Sequence, residues 1–343
     1  MIRVGIVGAS GYSGEVLVDL LSAHPEAELV AVSSRSLVGE SVSSVFPRLS
    51  HRLGGLTFTE SNATELAARD DLDAVFLALP HGVAAGFARP LFDSGKTVFD
   101  LSADFRLSSP ERYEEFYGAK HPDPELLQAA AYVIPEFPLL SDWAQKPLIA
   151  CPGCYPTSIL IPLLPLLASG LFSSSDIIAS SMSGISGAGK KATEDFSFCE
   201  RSESARPYGQ PKHRHLSEIE EQLGTAAGAP VTLQFLPHLV PMRRGIVSTI
   251  SLPDAGRSAD DVIAAWKKSY EGLPFVRILE DGTLPESKNV VFTNRIDIAV
   301  RHDLRTKRLI LTSTEDNLLK GASGQAVQLM NLKFNLDESV GLP

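Results

Sequence analysis

A glycine-rich turn near the start of the chain is the feature that most limits its fold. Residues 3–7 form a short apolar run, and the sequence Gly8-Ala-Ser-Gly11-Tyr-Ser-Gly14 follows directly. Residues 14–23 then place apolar side chains at helical spacing. Glycines at such a strand-to-helix turn let the backbone approach a pyrophosphate, which meets the N–H groups of the helix start. This context predicts dinucleotide binding, and the alternative is a tight turn without a ligand.

The alternation of strand and helix continues through the first half of the chain. Further strands are predicted over 29–33, 74–79, 97–100 and 148–150, and a helix over 82–92. This order predicts an α/β fold, with an N-terminal doubly wound parallel sheet of the Rossmann type. From about residue 175, strands follow one another with few helices between them. That change predicts a second, α+β domain with a mixed or antiparallel sheet.

The end of the second strand indicates which dinucleotide is bound. NAD enzymes usually place an acidic residue there for the ribose hydroxyls. This chain instead has Ser33-Ser34-Arg35-Ser36, whose hydroxyls and guanidinium suit a 2′-phosphate. The sequence therefore predicts NADP(H), with Arg35 as a solvated loop residue as the alternative.

Composition excludes several classes of partner. The net charge is −10, which argues against a surface for nucleic acid or an anionic membrane. No apolar run reaches the length of a membrane helix. Three cysteines are too few for a disulfide framework, and the first strand leaves no room for a leader peptide. We expect a cytoplasmic protein that acts on a small molecule.

A cysteine before a long apolar helix is the second informative feature. A short strand is predicted over 148–150, the sequence C-P-G-C occupies 151–154, and Pro156 suits the first helical turn after it. The partial positive charge of a helix N-terminus favours the thiolate, which makes Cys154 a candidate nucleophile towards an acyl carbon. Three alternatives stay open on the residues alone: structural cysteines, a redox pair, or half of a metal site.

A series of motifs along nearly the whole chain resembles the family of N-acetyl-gamma-glutamyl-phosphate reductases, in the aspartate-semialdehyde dehydrogenase superfamily. The motifs are GASGYSG at 8–14, LPHG at 79–82, DLSADFRL at 100–107, CPGCYPT at 151–157, SGISGAGK at 183–190, HRH at 213–215, PHLVPMRRG at 237–245 and DNLLKGASGQA at 316–326. Small departures occur at Ser217-Glu218, where the family often has Pro-Glu, and at Tyr132–Glu136.

The resemblance implies a reaction and a domain plan. NADPH would reduce N-acetyl-glutamyl 5-phosphate to the 5-semialdehyde and phosphate, a step of arginine biosynthesis. An NADP-binding domain would span 1–150 and be completed by a C-terminal helix at 321–343. A catalytic and oligomerisation domain would span 151–320, in a homo-oligomer (dimer or tetramer). Reductases of aspartyl phosphate or of carrier-bound aminoadipyl phosphate are the alternatives, and the HRH and 237–245 motifs argue against the first.

The resemblance also assigns roles at the reaction centre. Cys154 would form a thioester with the acyl group, and no metal is expected. Only one of His213 and His215 would be the acid/base, because residues two apart point to different faces of a helix start, and the resemblance slightly favours His213. The alternative is that both histidines only bind substrate oxygens. Arg106 would hold the phosphate, unless it forms a salt bridge to Asp104 or to a neighbouring residue, and Arg214 is a second candidate for substrate binding.

Contacts with NADP(H) follow from the same motifs. Asn317, like Gln325, would either contact the cofactor or cap the last helix. The residues expected at the cofactor are Gly8, Ser10, Gly11, Tyr12, Ser13, Gly14, Ser34, Arg35, Ser36, Pro80, Ser186, Gly187, Gly189 and Asn317.

Two functions of other classes are weighed against this enzyme. A nucleotide-sensing regulator on a Rossmann scaffold would not need the cysteine or the histidines, which are both present. A thiol–disulfide exchange protein would need Cys151 as much as Cys154. The enzyme explains all the motifs together.

Overall fold

The chain folds into two compact units, each with its own seven-stranded sheet. The computed structural model describes all residues from Met1 to Pro343. The first unit contains Met1–Val133, Leu140–Pro152 and Ala322–Pro343, and the second contains Ile134–Leu139 and Gly153–Gly321. Residues 134–139 therefore group with the second unit, whereas the sequence analysis placed them in the first domain.

The sheet of the first unit is parallel throughout. Its strands are β1 (Ile2–Val7), β2 (Ala27–Ser33), β3 (Phe58–Thr59), β4 (Ala74–Leu77), β5 (Thr97–Asp100), β6 (Ala131–Tyr132) and β7 (Leu148–Ala150). They lie in the order β3-β2-β1-β4-β5-β7-β6. The order reverses between β1 and β4, and a doubly wound sheet binds ligands in the crevice at that point. The predicted fold class of this half is confirmed.

Six helices surround this sheet before the chain enters the second unit. They are α1 (Tyr12–Ala23), α2 (Val42–Val45), α3 (Ala63–Ala67), α4 (Ala85–Asp93), α5 (Pro110–Tyr117) and α6 (Pro124–Ala129). The last two lie between the strands predicted over 97–100 and 148–150, where the sequence analysis predicts no helix. Each has a proline at its first position and a capping side chain before it, Ser109 and Asp123. These are ordinary helix-start signals that the surrounding aromatic and acidic composition obscured.

The second unit holds a mixed sheet. Its strands are β8 (Ile177–Ser183), β9 (Arg206–Pro207), β10 (Leu233–Leu239), β11 (Ile246–Pro253), β12 (Val276–Ile278), β13 (Ile296–Asp303) and β14 (Arg308–Glu315). The order is β12-β13-β14-β11-β8-β10-β9. β8 pairs with β10 and β12 pairs with β13 in parallel, and the remaining neighbours are antiparallel. This confirms the predicted α+β half. Burial alternates along β8 and β11, so one face of the sheet meets helices and the other is more open.

Helix α7 (Cys154–Ala168) is the central helix of the second unit. Its side chains from Tyr155 to Leu167 are all buried, although it contains Pro162 and Pro165. A proline inside a helix leaves the carbonyl four residues earlier without its N–H partner. Here Ser313 Oγ donates to the Ser158 carbonyl and Tyr270 Oη donates to the Ile161 carbonyl. The two prolines are therefore tolerated because tertiary donors replace the missing hydrogen bonds.

The other helices of the second unit are α8 (Phe198–Arg201), α9 (His215–Ala227) and α10 (Ala259–Tyr270). A π-helical turn at Leu319–Ser323 then leads to α11 (Gly324–Lys333), whose residues group with the first unit. There Asn331 Oδ1 lies 2.9 Å from His24 Nε2, and Lys333 Nζ donates to the Ala144 carbonyl. None of the helices has the length and apolar character that crossing a membrane requires.

Candidate active site

The glycine turn between β1 and α1 has no room for side chains at two of its three glycines. A Cβ on Gly8, whose φ is +86°, would lie 2.4 Å from the Ala78 carbonyl oxygen. A Cβ on Gly14 would lie 2.3 Å from the Gly8 carbonyl oxygen. Gly11 is the N-cap of α1, and no side chain caps that helix. The turn thus presents backbone alone, as a pyrophosphate site requires.

The end of β2 carries a cluster of hydroxyls and no carboxylate. Ser34 is buried, and its Oγ lies 2.9 Å from Ser10 Oγ of the glycine turn and 3.4 Å from Ser36 Oγ. Arg35 is exposed beside them. Hydroxyl donors with an adjacent guanidinium fit a phosphate ester, so these residues suit the 2′-phosphate of NADP(H).

Cys154 is the first residue of α7. Gly153 is the N-cap in an extended conformation, and its amide donates to Glu218 Oε1 of α9 over 2.8 Å. Glu218 is completely buried. The thiol is half-buried, so it is reachable from solvent, and it lies at the positive end of a 15-residue helix. Glu218 is a contributor to this helix start that the sequence analysis did not identify.

Cys151 has a different environment. It follows β7, is fully buried, and belongs to the first unit. Burial, and then the charge of Asp100, raises the pKa of the Cys151 thiol well above its usual range. Both cysteines are free thiols, and no cluster of three or more His, Cys, Asp or Glu side chains could hold a metal ion. Of the two cysteines, only Cys154 has the exposure and the helix position of a nucleophile.

The two histidines of the HRH motif lie in different environments. His213 is buried, and its Nδ1 accepts the amide N–H of His215 over 3.1 Å. Burial, and then the charge of Arg214, lowers the pKa of His213 to about 4, so its imidazole is neutral near pH 7. His215 is the first residue of α9 and is half-buried. Both rings pack edge-on against Tyr155, the residue after Cys154, with centroids 5.7 Å and 6.1 Å away.

Tyr208 is a further residue of this group that the sequence analysis missed. Its hydroxyl donates to Tyr155 Oη over 3.1 Å, and Tyr155 Oη donates to the His238 carbonyl over 3.2 Å. Burial raises the pKa of Tyr208 to about 12, and the nearby Cys154 thiolate adds to this. The only sequence signal was its position five residues before the HRH motif. It contributes to an aromatic wall beside the thiol.

A buried acid lies behind the backbone of Cys154. A Cβ on Gly321 would meet Glu315 Oε1 at 2.7 Å on one side and Cys154 Cβ at 2.8 Å on another. Glu315 ends β14, is fully buried, and neither carboxyl oxygen has a hydrogen-bond partner. Burial raises the pKa of Glu315 well above its usual range. Burial therefore favours the neutral form of this carboxyl group, which reduces the negative charge beside the thiol.

An ion pair completes this buried cluster. Lys320 Nζ donates to Glu136, both side chains are fully buried, and the ammonium lies 5.8 Å from the centroid of the Phe275 ring. This contact explains why residues 134–139 group with the second unit. A buried lysine without its carboxylate would be strongly unfavourable.

The candidate arginines lie in different units. Arg106, in the first unit, is buried, and its guanidinium donates to the Leu101 carbonyl over 2.8 Å. Its positive charge acts on Asp100, whose pKa burial raises to about 7. Arg214, in the second unit, is exposed at the start of α9.

Asn317 holds the second glycine-rich loop in place. Its Oδ1 accepts the Gly245 amide over 2.7 Å, and its Nδ2 donates to Ser186 Oγ over 3.0 Å. Gly187 fits closely above Ser183, and Gly189 has a positive φ of 88°. These bonds make Asn317 a support of the Ser186 loop within the second unit.

Comparison with known proteins identifies the class of protein that has this architecture. The family model described as "Semialdehyde dehydrogenase, NAD binding domain" matches residues 3–139, and "Semialdehyde dehydrogenase, dimerisation domain" matches residues 154–317. Aspartate semialdehyde dehydrogenase II from Vibrio cholerae superposes with a TM-score of 0.73 at 17% identity, over 98% of both chains. The enzyme from Candida albicans, solved with NADP, superposes with a TM-score of 0.71 at 16% identity, over 98% of this chain and 99% of that one. The fold and site define an oxidoreductase of the semialdehyde dehydrogenase class.

Relatives with closer sequences narrow this class. A protein named N-acetyl-gamma-glutamyl-phosphate reductase from Akkermansia muciniphila is 48% identical, over 99% of this chain and 98% of its own length. One of the same name from Citrifermentans bemidjiense is 45% identical, over 100% and 98%. The chain belongs to the N-acetyl-gamma-glutamyl-phosphate reductase family, which confirms the resemblance seen in the sequence.

Glu315 generates a prediction about stability and pH. Because its pKa is raised in the folded state, the folded protein loses stability as pH rises from the unfolded pKa towards the folded one. Glu315→Gln cannot ionise, so it should be more stable than the wild type at pH 8, by at least about 1 kcal/mol, and similar near pH 4. Denaturant unfolding at both pH values measures this.

Glu136→Gln is the matched control. It removes the carboxylate that pairs with buried Lys320, so it should be less stable than the wild type at both pH values. Equal stability of the wild type and Glu315→Gln at pH 8 would contradict a raised pKa of Glu315.

Proposed function

We propose that this protein reduces N-acetyl-L-glutamyl 5-phosphate to N-acetyl-L-glutamate 5-semialdehyde and phosphate with NADPH, in arginine biosynthesis. The observation that carries the proposal is Cys154, a reachable thiol at the N-terminus of the buried helix α7. It lies in a chain that is 48% identical, over nearly its full length, to a reductase of that name. The product is an aldehyde. We place the reaction in the cytoplasm, where the three free cysteines would stay reduced.

Reduction of aspartyl phosphate or of a carrier-bound aminoadipyl phosphate is the alternative within the same chemistry. The structural match to aspartate semialdehyde dehydrogenases is at 17% identity and supports the fold alone. The sequence match at 44–48% to reductases of the acetylated substrate favours the first assignment.

The first unit would bind NADP(H), with α11 as part of it. The glycine turn at 8–14 would meet the pyrophosphate, and Ser34, Arg35 and Ser36 would meet the 2′-phosphate. Pro80 and the loop at 186–189 would contact parts of the cofactor other than the pyrophosphate and the 2′-phosphate. The chemistry that NADP(H) supplies when bound is hydride transfer to the acyl carbon.

The second unit would carry the covalent chemistry. Cys154 Sγ attacks the acyl carbon, the bond from carbon to the phosphate oxygen breaks, and a thioester forms. Arg106 would hold the departing phosphate and Arg214 would bind the substrate. After reduction, the carbon–sulfur bond of the hemithioacetal breaks, which releases the aldehyde and restores the thiolate.

We infer that His215 carries the proton. It would take the proton of the Cys154 thiol and give it to the leaving phosphate oxygen. His213 suits this role less well, because its Nδ1 already accepts the His215 amide and its pKa of about 4 keeps it neutral. His213 would instead fix the backbone of His215 at the start of α9. This is the reverse of the preference drawn from the sequence.

The open face of the second sheet is our candidate for self-association. Met182 of β8 is 48% exposed on it, and Thr249 of β11 lies beside Ser180 on the same face. The family description of residues 154–317 as a dimerisation domain supports this. A dimer or a dimer of dimers would cover the face.

The reaction is tested in reverse. N-acetyl-glutamate semialdehyde, phosphate and NADP should give NADPH absorbance that depends on phosphate, and NAD should be a poorer substrate. Aspartate semialdehyde is the matched competitor. NADPH formation with aspartate semialdehyde alone would contradict the proposed substrate. It would still agree with the proposed thiol chemistry.

Cys154→Ser should lower kcat by at least about 10³-fold, because a hydroxyl is a much weaker nucleophile than a thiolate. Incubation of the wild type with the acyl phosphate and no NADPH should add one acyl group at Cys154, visible by peptide mass spectrometry. Cys151→Ala, which removes a buried inert thiol, is the control and should keep activity within about tenfold. Equal loss in both variants would favour a redox pair.

The two histidines are separated by their variants. His215→Gln should lower kcat at least about 10²-fold and remove a near-neutral ionisation from the pH profile. His213→Asn keeps an acceptor for the His215 amide, so it should keep most activity and the wild-type profile, whereas His213→Ala should lose more. If His213→Asn removed this ionisation from the pH profile, His213 would be the residue that transfers the proton.

Sedimentation tests the oligomer. The wild-type chain of 36.9 kDa should sediment at twice or four times that mass, and Met182→Glu should shift it towards the monomer. Leu304→Glu, which puts the same charge on an exposed apolar residue in the turn between β13 and β14, is the control. An unchanged mass in Met182→Glu would exclude this face as the interface.

A further inference from the structure

Asp104 has a fully buried carboxyl group whose three partners come from two other segments of the first unit. Its Oδ1 accepts the Gly82 amide over 2.6 Å and the Tyr113 hydroxyl over 3.0 Å. Its Oδ2 accepts the Ala85 amide over 3.1 Å. Two backbone amides and a phenol therefore supply the hydrogen bonds of a carboxyl group that would be costly to bury without them.

The amides that Asp104 binds belong to the loop between β4 and α4. Ala85 is the first residue of α4, and its N-cap, Ala84, has no side chain that can cap the helix. Asp104 replaces that cap from about twenty residues along the chain, at the positive end of the helix. Gly82 has a φ of +78°, so the loop turns sharply where Asp104 holds it.

The other end of this loop touches the glycine turn. A Cβ on Gly8 would meet the Ala78 carbonyl oxygen and the Leu79 side chain, so residues 78–79 lie directly against Gly8. β1 and β4 are neighbours at the point where the strand order reverses. The loop that follows β4 therefore borders the crevice in which a doubly wound sheet binds its ligand.

The backbone of Asp104 is fixed on the opposite side. Its amide donates to Ser102 Oγ over 3.0 Å, and Ser102 Oγ donates to Asp100 Oδ2 at the end of β5 over 2.8 Å. The His121 ring meets the Asp104 carbonyl. Arg106 follows two residues later, and its guanidinium bonds back to Leu101. Asp104 thus joins the segment that carries Arg106 to the loop beside the glycine turn.

We propose that Asp104 is a positioning residue that couples NADP(H) binding to phosphate binding by holding the loop at 78–85 and the segment at 100–106 in one fixed arrangement. It touches neither ligand. It fixes the position of the backbone beside the glycine turn and the position of the backbone that carries Arg106. The proposal rests on the proposed function, since it takes NADP(H) and phosphate as the ligands.

Asp104→Asn is the first test. An amide keeps one acceptor oxygen and turns an N–H₂ group towards the other backbone N–H, so the loop should shift while the fold is retained. Fluorescence titration should show NADPH binding weakened about tenfold, which corresponds to the loss of one charged hydrogen bond. The KM for inorganic phosphate in the reverse reaction should rise several-fold as well.

Two controls separate positioning from general destabilisation. Tyr113→Phe removes one hydrogen bond from the same carboxylate and leaves both backbone amides held, so it should lower the melting temperature and keep the NADPH affinity within about twofold. Arg106→Lys should raise the KM for phosphate and leave NADPH binding unchanged. Only Asp104→Asn should affect both ligands.

If Asp104→Asn does not fold, Asp104→Glu takes its place, because it keeps the charge and displaces the carboxylate by one methylene in a fully buried site. Wild-type affinity for NADPH in either variant would overturn the proposal. So would an equal loss of NADPH affinity in Tyr113→Phe. A wild-type protein that binds no NADPH would instead reject the proposed function, so the two failures are distinguishable.

Discussion

The start of helix α7 is the point on which the candidate active site of the second unit depends. Gly153 must be extended to cap the helix, and Glu218 of α9 holds its amide. Gly321 must be a glycine, because Cys154 and Glu315 approach it closely from different directions. Cys154 is therefore fixed at the positive end of a buried helix by contacts from α9 and from the turn after β14. A thiol that is held there needs little reorganisation to attack an acyl carbon.

The same region shows how buried charge is managed near the thiol that we propose as the nucleophile. Lys320 and Glu136 form a buried ion pair, and burial favours the neutral form of Glu315. Both effects reduce the net negative charge in the interior near Cys154. The cost is a carboxyl group without hydrogen-bond partners, which is rare in native proteins.

Within the first unit, the fold uses side chains to hold loops at the ligand-binding edge of the sheet. Asp104 binds the start of α4 and the loop after β4, and Ser10 and Ser34 join the glycine turn to the end of β2. These hydrogen bonds link residues that are far apart in sequence. They hold the loops at the ligand-binding end of the strands in place for a charged ligand. Without them, these loops would be fixed only by the strands and helices that they connect.

The sequence by itself determined the parallel sheet, the glycine turn and the position of Cys154 before a helix, because each depends on local periodicity and on glycine or proline at fixed spacing. Tertiary structure alone decided the rest. It showed that Tyr208 bonds to Tyr155 and Glu218 to the Gly153 amide, on either side of Cys154 in the chain. It also showed that His213 is buried and neutral, and that hydroxyls from α10 and β14 donate to the carbonyls that the prolines of α7 leave without a partner. Burial and hydrogen-bond partners depend on contacts between distant residues, and no local pattern records them.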